Sequence, residues 1–545
     1  MDLSLFWYSP DALFVVEAIL VIVTLAFTCR FAAAERVLGK LARHRLAPLA
    51  VGAFAMVLRA VALPVAPIPN PNVSDEFSYL LGADTFAHGR LTNPPHPMWE
   101  HFETFHEDQL PTYQSMYPPL QGLVLGAGQA FLRTPYAGVW LGAGLMCSAF
   151  CWGLRGWFPP GWALLGAAIA AIRLAMFSYW GNSYWGGALA ATGGALLFGA
   201  LPRLIRSSRP RDALIAALGL AMMANTRPYE GAAFSVGVGL VALWRVRQLR
   251  LRTILPPLCC ALALVGALMA YYDWRVFGSP TTLPYTVNRA TYAVTPYFMF
   301  QSLRPEPVYR HKRLRDFYTG WEVQNYQAIR SKSGFVRRSM DKIYTSWIFF
   351  LGPVLTIPLV ASVYTWRSRR TGILLFLAAA VVLANAVVPF FVPHYVAPVT
   401  IVLYALIVQG LRTLRPAFPR LVRAVPVICV LMVGVRLGMA AAAIPVEAAW
   451  PMSWARLWPA ELGRENIAAE ILANGGKHVV IVHYKSEEGG QFVFNDADID
   501  ASPIVWANDM GPEKNAELLH YYSSRKAWVL NVDGESLAVS PLGKP

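Results

Sequence analysis

Two adjacent carboxylates stand in Ser74-Asp75-Glu76-Phe77-Ser78-Tyr79, directly after an apolar stretch. A carboxylate at such a boundary can take a proton from a hydroxyl. The plainer reading is a helix start: Ser74 caps, and Asp75 and Glu76 complement the helix dipole. The two readings are compatible. The segment 66–116 that holds the pair also carries Asp84, Glu100, Glu103, Glu107 and Asp108 against one arginine, Arg90, and four histidines. His101, Glu103 and His106 are ligand types for a metal. Leu110 stands where a His-Glu-x-x-His pattern would need its second histidine, so no metal or other cofactor is expected.

Cations gather in a later segment, 273–345, where Arg275, Arg289, Arg304, Arg310, Arg337, Arg338 and Lys342 are among twelve Lys and Arg. Arginine forks match phosphate geometry, and attraction to anionic headgroups is the rival reading. Arg227 sits in Asn225-Thr226-Arg227-Pro228-Tyr229-Glu230 at the edge of an apolar run. It reads as a functional group at membrane depth or as half of a local pair with Glu230. His394 reads as a phosphate ligand or as a satisfied interfacial histidine. Tyr and Trp in Tyr179-Trp180-Gly181-Asn182-Ser183-Tyr184-Trp185 form an aromatic belt or stack on a sugar ring.

Lipid must position these groups. The chain has 545 residues, 56% hydrophobic and 14% charged, with mean hydropathy +0.41. Soluble domains carry about 25% charged residues. The net charge of +15 does not point to nucleic acid, because many of the basic residues lie in short connectors between apolar runs. Five such connectors, in 30–46, 203–211, 245–252, 367–370 and 412–423, are expected to be cytoplasmic. The loops 66–116 and 273–345 and the tail then face outside. The N-terminus has no basic residue before its first apolar run, so a removable signal peptide is not expected. The six cysteines fall in or beside apolar runs and read as small buried hydrophobes.

The expected fold is an all-α polytopic membrane bundle of about twelve or thirteen spans over 1–445, with a small extramembrane α/β domain over 446–545. The stretch 117–133 breaks the parity of sidedness if it crosses, so it is expected to enter only partly. Gly122-Leu123-Val124-Leu125-Gly126 within it matches a small-residue helix-packing pattern. In the tail, helix is expected at 468–474 with Gly475-Gly476 as its stop, strand at 478–483, helix at 512–522 and strand at 527–532.

An acidic pair followed by an aromatic, in the loop after an early span, resembles the GT-C class of membrane glycosyltransferases, nearest to the protein mannosyltransferase and aminoarabinose transferase types. Tyr117-Pro118-Pro119-Leu120, Phe277-Gly278-Ser279-Pro280 and His394-Tyr395-Val396-Ala397-Pro398 resemble further pieces of that class in the same order. The resemblance spans roughly 70–445. It implies a GT-C-like bundle, a polyprenyl-phosphate-linked sugar donor used on the outer face, and a lipid, glycan or protein acceptor. It also implies that Asp75 is the catalytic carboxylate. Glu76 is the expected helper. Asn182 stands where relatives often carry a second acid, so a two-acid mechanism is not implied. Arg227, Arg289, Arg304 and His394 are the expected phosphate contacts. Tyr79, Tyr117, Trp180, Asn182, Tyr184 and Tyr395 are the expected sugar contacts. A bacterial inner membrane with a periplasmic site fits the composition. Two rival readings are a transporter or lipid flippase, and a non-catalytic assembly or sensor protein whose tail binds a partner.

Overall fold

The computed structural model describes residues 12–26, 32–442, 444, 451–454 and 463–542. The N-terminal expectation, Cys29, Arg30 and part of the junction before the tail lie outside the described residues. The membrane part is helical. Six helices are long and apolar enough to cross a bilayer, Tyr136–Trp157, Ala188–Ser207, Leu251–Phe277, Arg369–Ala386, Pro393–Leu414 and Pro419–Ala441. Two further pairs, Glu35–Arg43 with Ala47–Ala62 and Lys332–Phe350 with Gly352–Val363, pass together but bend by 119° and 109°. The count by length and composition is therefore six to eight among the described residues, below the twelve or thirteen expected. Hydropathy scores an apolar run without seeing where the backbone breaks it. Ala12–Ala26, Pro210–Ala224 and Pro228–Trp244 stop at 15, 15 and 17 residues, and Pro160–Ala170 gives way to a wider turn at Ala171–Met176. Cys147, Cys151 and Cys429 are buried as expected. Cys259 and Cys260 are exposed on the Leu251–Phe277 helix, whose apolar surface faces away from the protein.

The segment expected to enter only partly forms the helix Pro119–Leu132. Its 14 residues span about 21 Å, short of a hydrocarbon core of about 30 Å. It packs on the helix Ser74–Ala87 through its two spaced glycines. A Cβ on Gly126 would lie 2.7 Å from the Ala83 carbonyl oxygen, and one on Gly122 would lie 3.3 Å from the Gly82 carbonyl carbon. Only a missing side chain permits that approach, and it sets the helix whose first turn carries Asp75.

The tail is an α/β unit. Its sheet runs Ile504–Asn508, His478–Gly489, Lys526–Gly534, Ser536–Pro541; the first three strands are parallel and the last is antiparallel. Helices Arg464–Leu472 and Pro512–Tyr521 accompany it. Its core continues into the segment 66–116, where Leu81, Phe102 and Tyr113 pack with Val479, Ile481 and Leu518. Phe77 stacks on Phe494 at 4.1 Å, and the Ala497 amide donates to Asp84 Oδ2 at 2.9 Å. The basic loop joins the same layer through Phe105, which packs with Tyr292, Leu314 and Tyr318.

Candidate active site

A cavity of about 1030 Å³ lies where the loops 66–116 and 273–345, the bundle and the tail meet. Asp75, in the first turn of Ser74–Ala87, lines it. One of its oxygens accepts from the Tyr117 hydroxyl, and the other lies 3.7 Å from His106 Nδ1. Ser74 Oγ is 2.9 Å from the same nitrogen. His106 is a non-glycine residue at φ 63°, a left-handed conformation that costs most side chains energy. Two hydrogen bonds hold it there: Ser78 Oγ and the Met116 amide donate to its carbonyl at 2.6 and 3.1 Å. The fold thus holds the imidazole against Asp75.

The other walls come from distant elements. Arg227, just before the helix Pro228–Trp244, lies over the Tyr395 ring at 4.5 Å, and both line the cavity. No direct ion pair joins Arg227 to Glu230 among the described residues, although Glu230 lines the same cavity and its carboxylate acts on Arg227 through space. His394 also lines the cavity. Its Nδ1 is 2.8 Å from the Tyr179 hydroxyl, and its ring meets Trp185 edge-on at 5.0 Å. Tyr285, Tyr297, Phe298, Trp321, Phe390 and Phe391 make much of the remaining wall aromatic.

Several expected residues stand elsewhere or are already engaged. Glu76 is buried; its Oε2 accepts from the Asn72 and Val73 amides at 2.8 and 3.3 Å, and its Oε1 from the Tyr184 amide at 2.9 Å. It caps the helix from the third position and pins the loop after Met176, so Ser74 is not the cap. Arg289 reaches the cavity but pairs with Glu322 at 2.6 and 3.0 Å and donates to Thr295. Arg304 is exposed, donates to the Arg289 carbonyl at 2.9 Å and does not line the cavity. Tyr79 stacks behind Tyr117 at 4.4 Å. Trp180, Asn182 and Tyr184 are buried away from the cavity; Trp180 packs on Phe349 at 5.1 Å, and Asn182 Nδ2 donates to the Met176 and Ser178 carbonyls. Helix 332–350 adds two cations not singled out as site residues. Arg338 donates to Asn325 Oδ1 at 2.8 Å, and Lys342 donates to the Asn385 and Val388 carbonyls at 2.8 and 2.6 Å.

The three candidate metal ligands do not converge. Glu103 accepts from Tyr292 at 3.0 Å and pairs with Arg310 at 3.4 Å, while His106 faces Asp75. Among the described residues no three His, Cys, Asp or Glu gather around one point. Behind this layer, burial pushes the Asp108 carboxyl up to about 7, against opposing hydrogen bonds from Asn288 and Gln114. Burial also pushes Glu107 well above the ordinary carboxylate range.

No protein-family model and no curated protein sequence matches the chain. Solved structures do. An oligosaccharyltransferase of Archaeoglobus fulgidus, in complex with zinc and sulfate, aligns with TM-score 0.48 and 12% identity over 88% of this chain and 67% of its own. ArnT of Cupriavidus metallidurans in the apo state aligns with TM-score 0.48 and 14% identity over 88% of this chain and 93% of its own. The archaeal oligosaccharyltransferase AglB, with an inhibitory peptide and a dolichol-phosphate, aligns with TM-score 0.39 and 12% identity over 89% and 69%.

Proposed function

We propose that this chain is a membrane glycosyltransferase. It moves a sugar from a polyprenyl-phosphate donor to an acceptor hydroxyl on the outer face of the membrane. The observation that carries the reading is one cavity lined by both Asp75 and Arg227, a carboxylate braced by Tyr117 and a guanidinium that, among the described residues, bonds directly to no carboxylate. An acid alone would suit many reactions. An acid and a cation free of any direct carboxylate bond, in one aromatic-walled chamber, suit displacement of a phosphate from a sugar carbon.

In the step itself, Asp75 takes the proton of the acceptor hydroxyl. The oxygen bonds to the anomeric carbon, and the bond from that carbon to the phosphate oxygen breaks. The electron pair leaves on the polyprenyl phosphate, where Arg227 offsets the growing negative charge. His394 stands ready to contact the same phosphate, and Tyr395 the sugar. Glu76 serves as the clamp that aims the Asp75 helix. Arg289, neutralised by Glu322, shapes the wall.

The test is transfer of radiolabelled sugar from polyprenyl-phosphate hexoses and pentoses, by purified protein in liposomes, to extracted envelope acceptors. Asp75→Asn is expected to lower transfer by about 10²–10⁴-fold while eluting as the native protein does. Transfer at the native rate by that variant would remove Asp75 from the mechanism.

A further inference from the structure

A second cavity, of about 380 Å³, lies at the far end of two helices that also border the first. Pro228–Trp244 begins at the Asp75 cavity and, over its 17 residues, runs about 25 Å to Trp244. Arg369–Ala386 runs the other way, ending beside the first cavity at Val388 and Pro389. The two pack closely, since a Cβ on Gly237 would meet Leu377 at 3.3 Å and Ala380 at 3.4 Å. The separation is near the thickness of a hydrocarbon core, about 30 Å. A bundle with Asp75 at one membrane interface therefore has this groove at the other.

The groove has the parts of a lipid seat. Leu240 and Phe376 form its apolar wall, and both are largely exposed. Trp244 and Trp366 flank the mouth at 58% and 56% exposure, a placement typical of the headgroup level. Arg369 lies over the Trp244 ring at 4.7 Å, and Arg367 over the Trp366 ring at 5.3 Å. Neither guanidinium makes a hydrogen bond or an ion pair among the described residues, so their N–H edges are open. Arg245 also lies over Trp244, at 4.6 Å. No carboxylate lines the groove.

We infer that this groove seats one anionic phospholipid of the leaflet opposite Asp75, its phosphate between Arg367 and Arg369 and its acyl chain along Leu240 and Phe376. Charge complementarity selects the anionic headgroup, and the apolar wall selects a lipid over free phosphate. The site is independent of the chemistry at Asp75.

Native mass spectrometry of the full-length protein released from nanodiscs of mixed phosphatidylcholine and phosphatidylglycerol tests it. The native protein is expected to retain one phosphatidylglycerol in preference to phosphatidylcholine. The Arg367→Gln/Arg369→Gln double variant is expected to lose that preference by roughly tenfold. Equal retention of the two lipids, or equal retention by variant and native protein, would overturn the proposal. Should the variant misfold, photo-activatable phosphatidylglycerol in native protein decides instead. Label on peptides carrying 240–244 and 366–376 supports the seat, and label confined to other peptides overturns it.

Discussion

At the scale of single residues, Asp75 is set by its two neighbours. Tyr117 donates to one oxygen, and His106 faces the other from 3.7 Å. The left-handed backbone at His106, held by Ser78 and Met116, is a cost the chain maintains beside the proposed catalytic carboxylate. We propose in addition that the imidazole relays the proton that Asp75 accepts to solvent. His106→Asn tolerates the same backbone and can bond to Ser74, but it has no basic ring. Its kcat for transfer is expected to fall about tenfold or more with KM little changed. His106→Gly is expected to fall likewise and to regain rate with added imidazole. Native kcat in the Asn variant would show that the ring only fills space.

The buried carboxylates behind the site give a second residue-scale prediction. Asp108 in the folded protein gives up its proton near 7, whereas the unfolded chain does so near the ordinary value of about 3.9. Between these values the folded state holds the extra proton. Stability therefore falls as pH rises through that window, by up to about 1.4 kcal/mol per pH unit, and levels off above it. Glu107, raised by the same cause, acts in the same direction. Thermal unfolding midpoints measured across the window should fall with pH in the native protein and fall less steeply in Asp108→Asn. A midpoint that rises with pH in the native protein would contradict this account.

At the scale of elements, the Asp75 helix depends on Glu76. Three backbone amides, of Asn72, Val73 and Tyr184, donate to its carboxylate. Glu76→Ala leaves them without that acceptor, at an expected cost of about 2 kcal/mol or more. The variant should unfold at lower temperature and show faster proteolysis within 178–187; unchanged stability and cleavage would mean that the clamp carries no weight. The sequence reading placed the acidic pair at a helix start but assigned the cap to Ser74, because capping from the third position depends on where the side chain turns. The tail was more legible. Helix 464–472, the stop at Gly475 and Gly476 with φ of 64° and 87°, strand 478–489, helix 512–521 and strand 526–534 lie close to their expected positions. Soluble patterning and glycine stops are local signals. The breaks within spans are less legible, since bends at Leu351 and between Arg43 and Ala47 leave no mark on hydropathy.

At the scale of the whole molecule, charge that looks free in sequence is partly taken up by folding. The basic loop reads as a phosphate trap. In the fold Arg310 pairs with Glu100 and Glu103, Arg289 with Glu322, Arg315 with Glu306 and Lys312 with Asp316. Lys514 from the tail also reaches Glu100, at 2.5 Å. Contacts between Arg310 and Glu100, some two hundred residues apart, cannot be read from spacing. Among the described residues Arg227 and Arg338 are cavity-lining arginines with no directly bonded acid, and Arg227 is the one that stacks on Tyr395. The account therefore stands on Asp75 and Arg227 meeting one donor. The most direct measurement is a cryo-electron microscopy structure of the protein with a polyprenyl monophosphate. The account predicts phosphate density within hydrogen-bonding reach of Arg227, in the same cavity as Asp75, with the chain leaving toward lipid. Phosphate density at the basic loop 273–345, away from both Arg227 and Asp75, would contradict it.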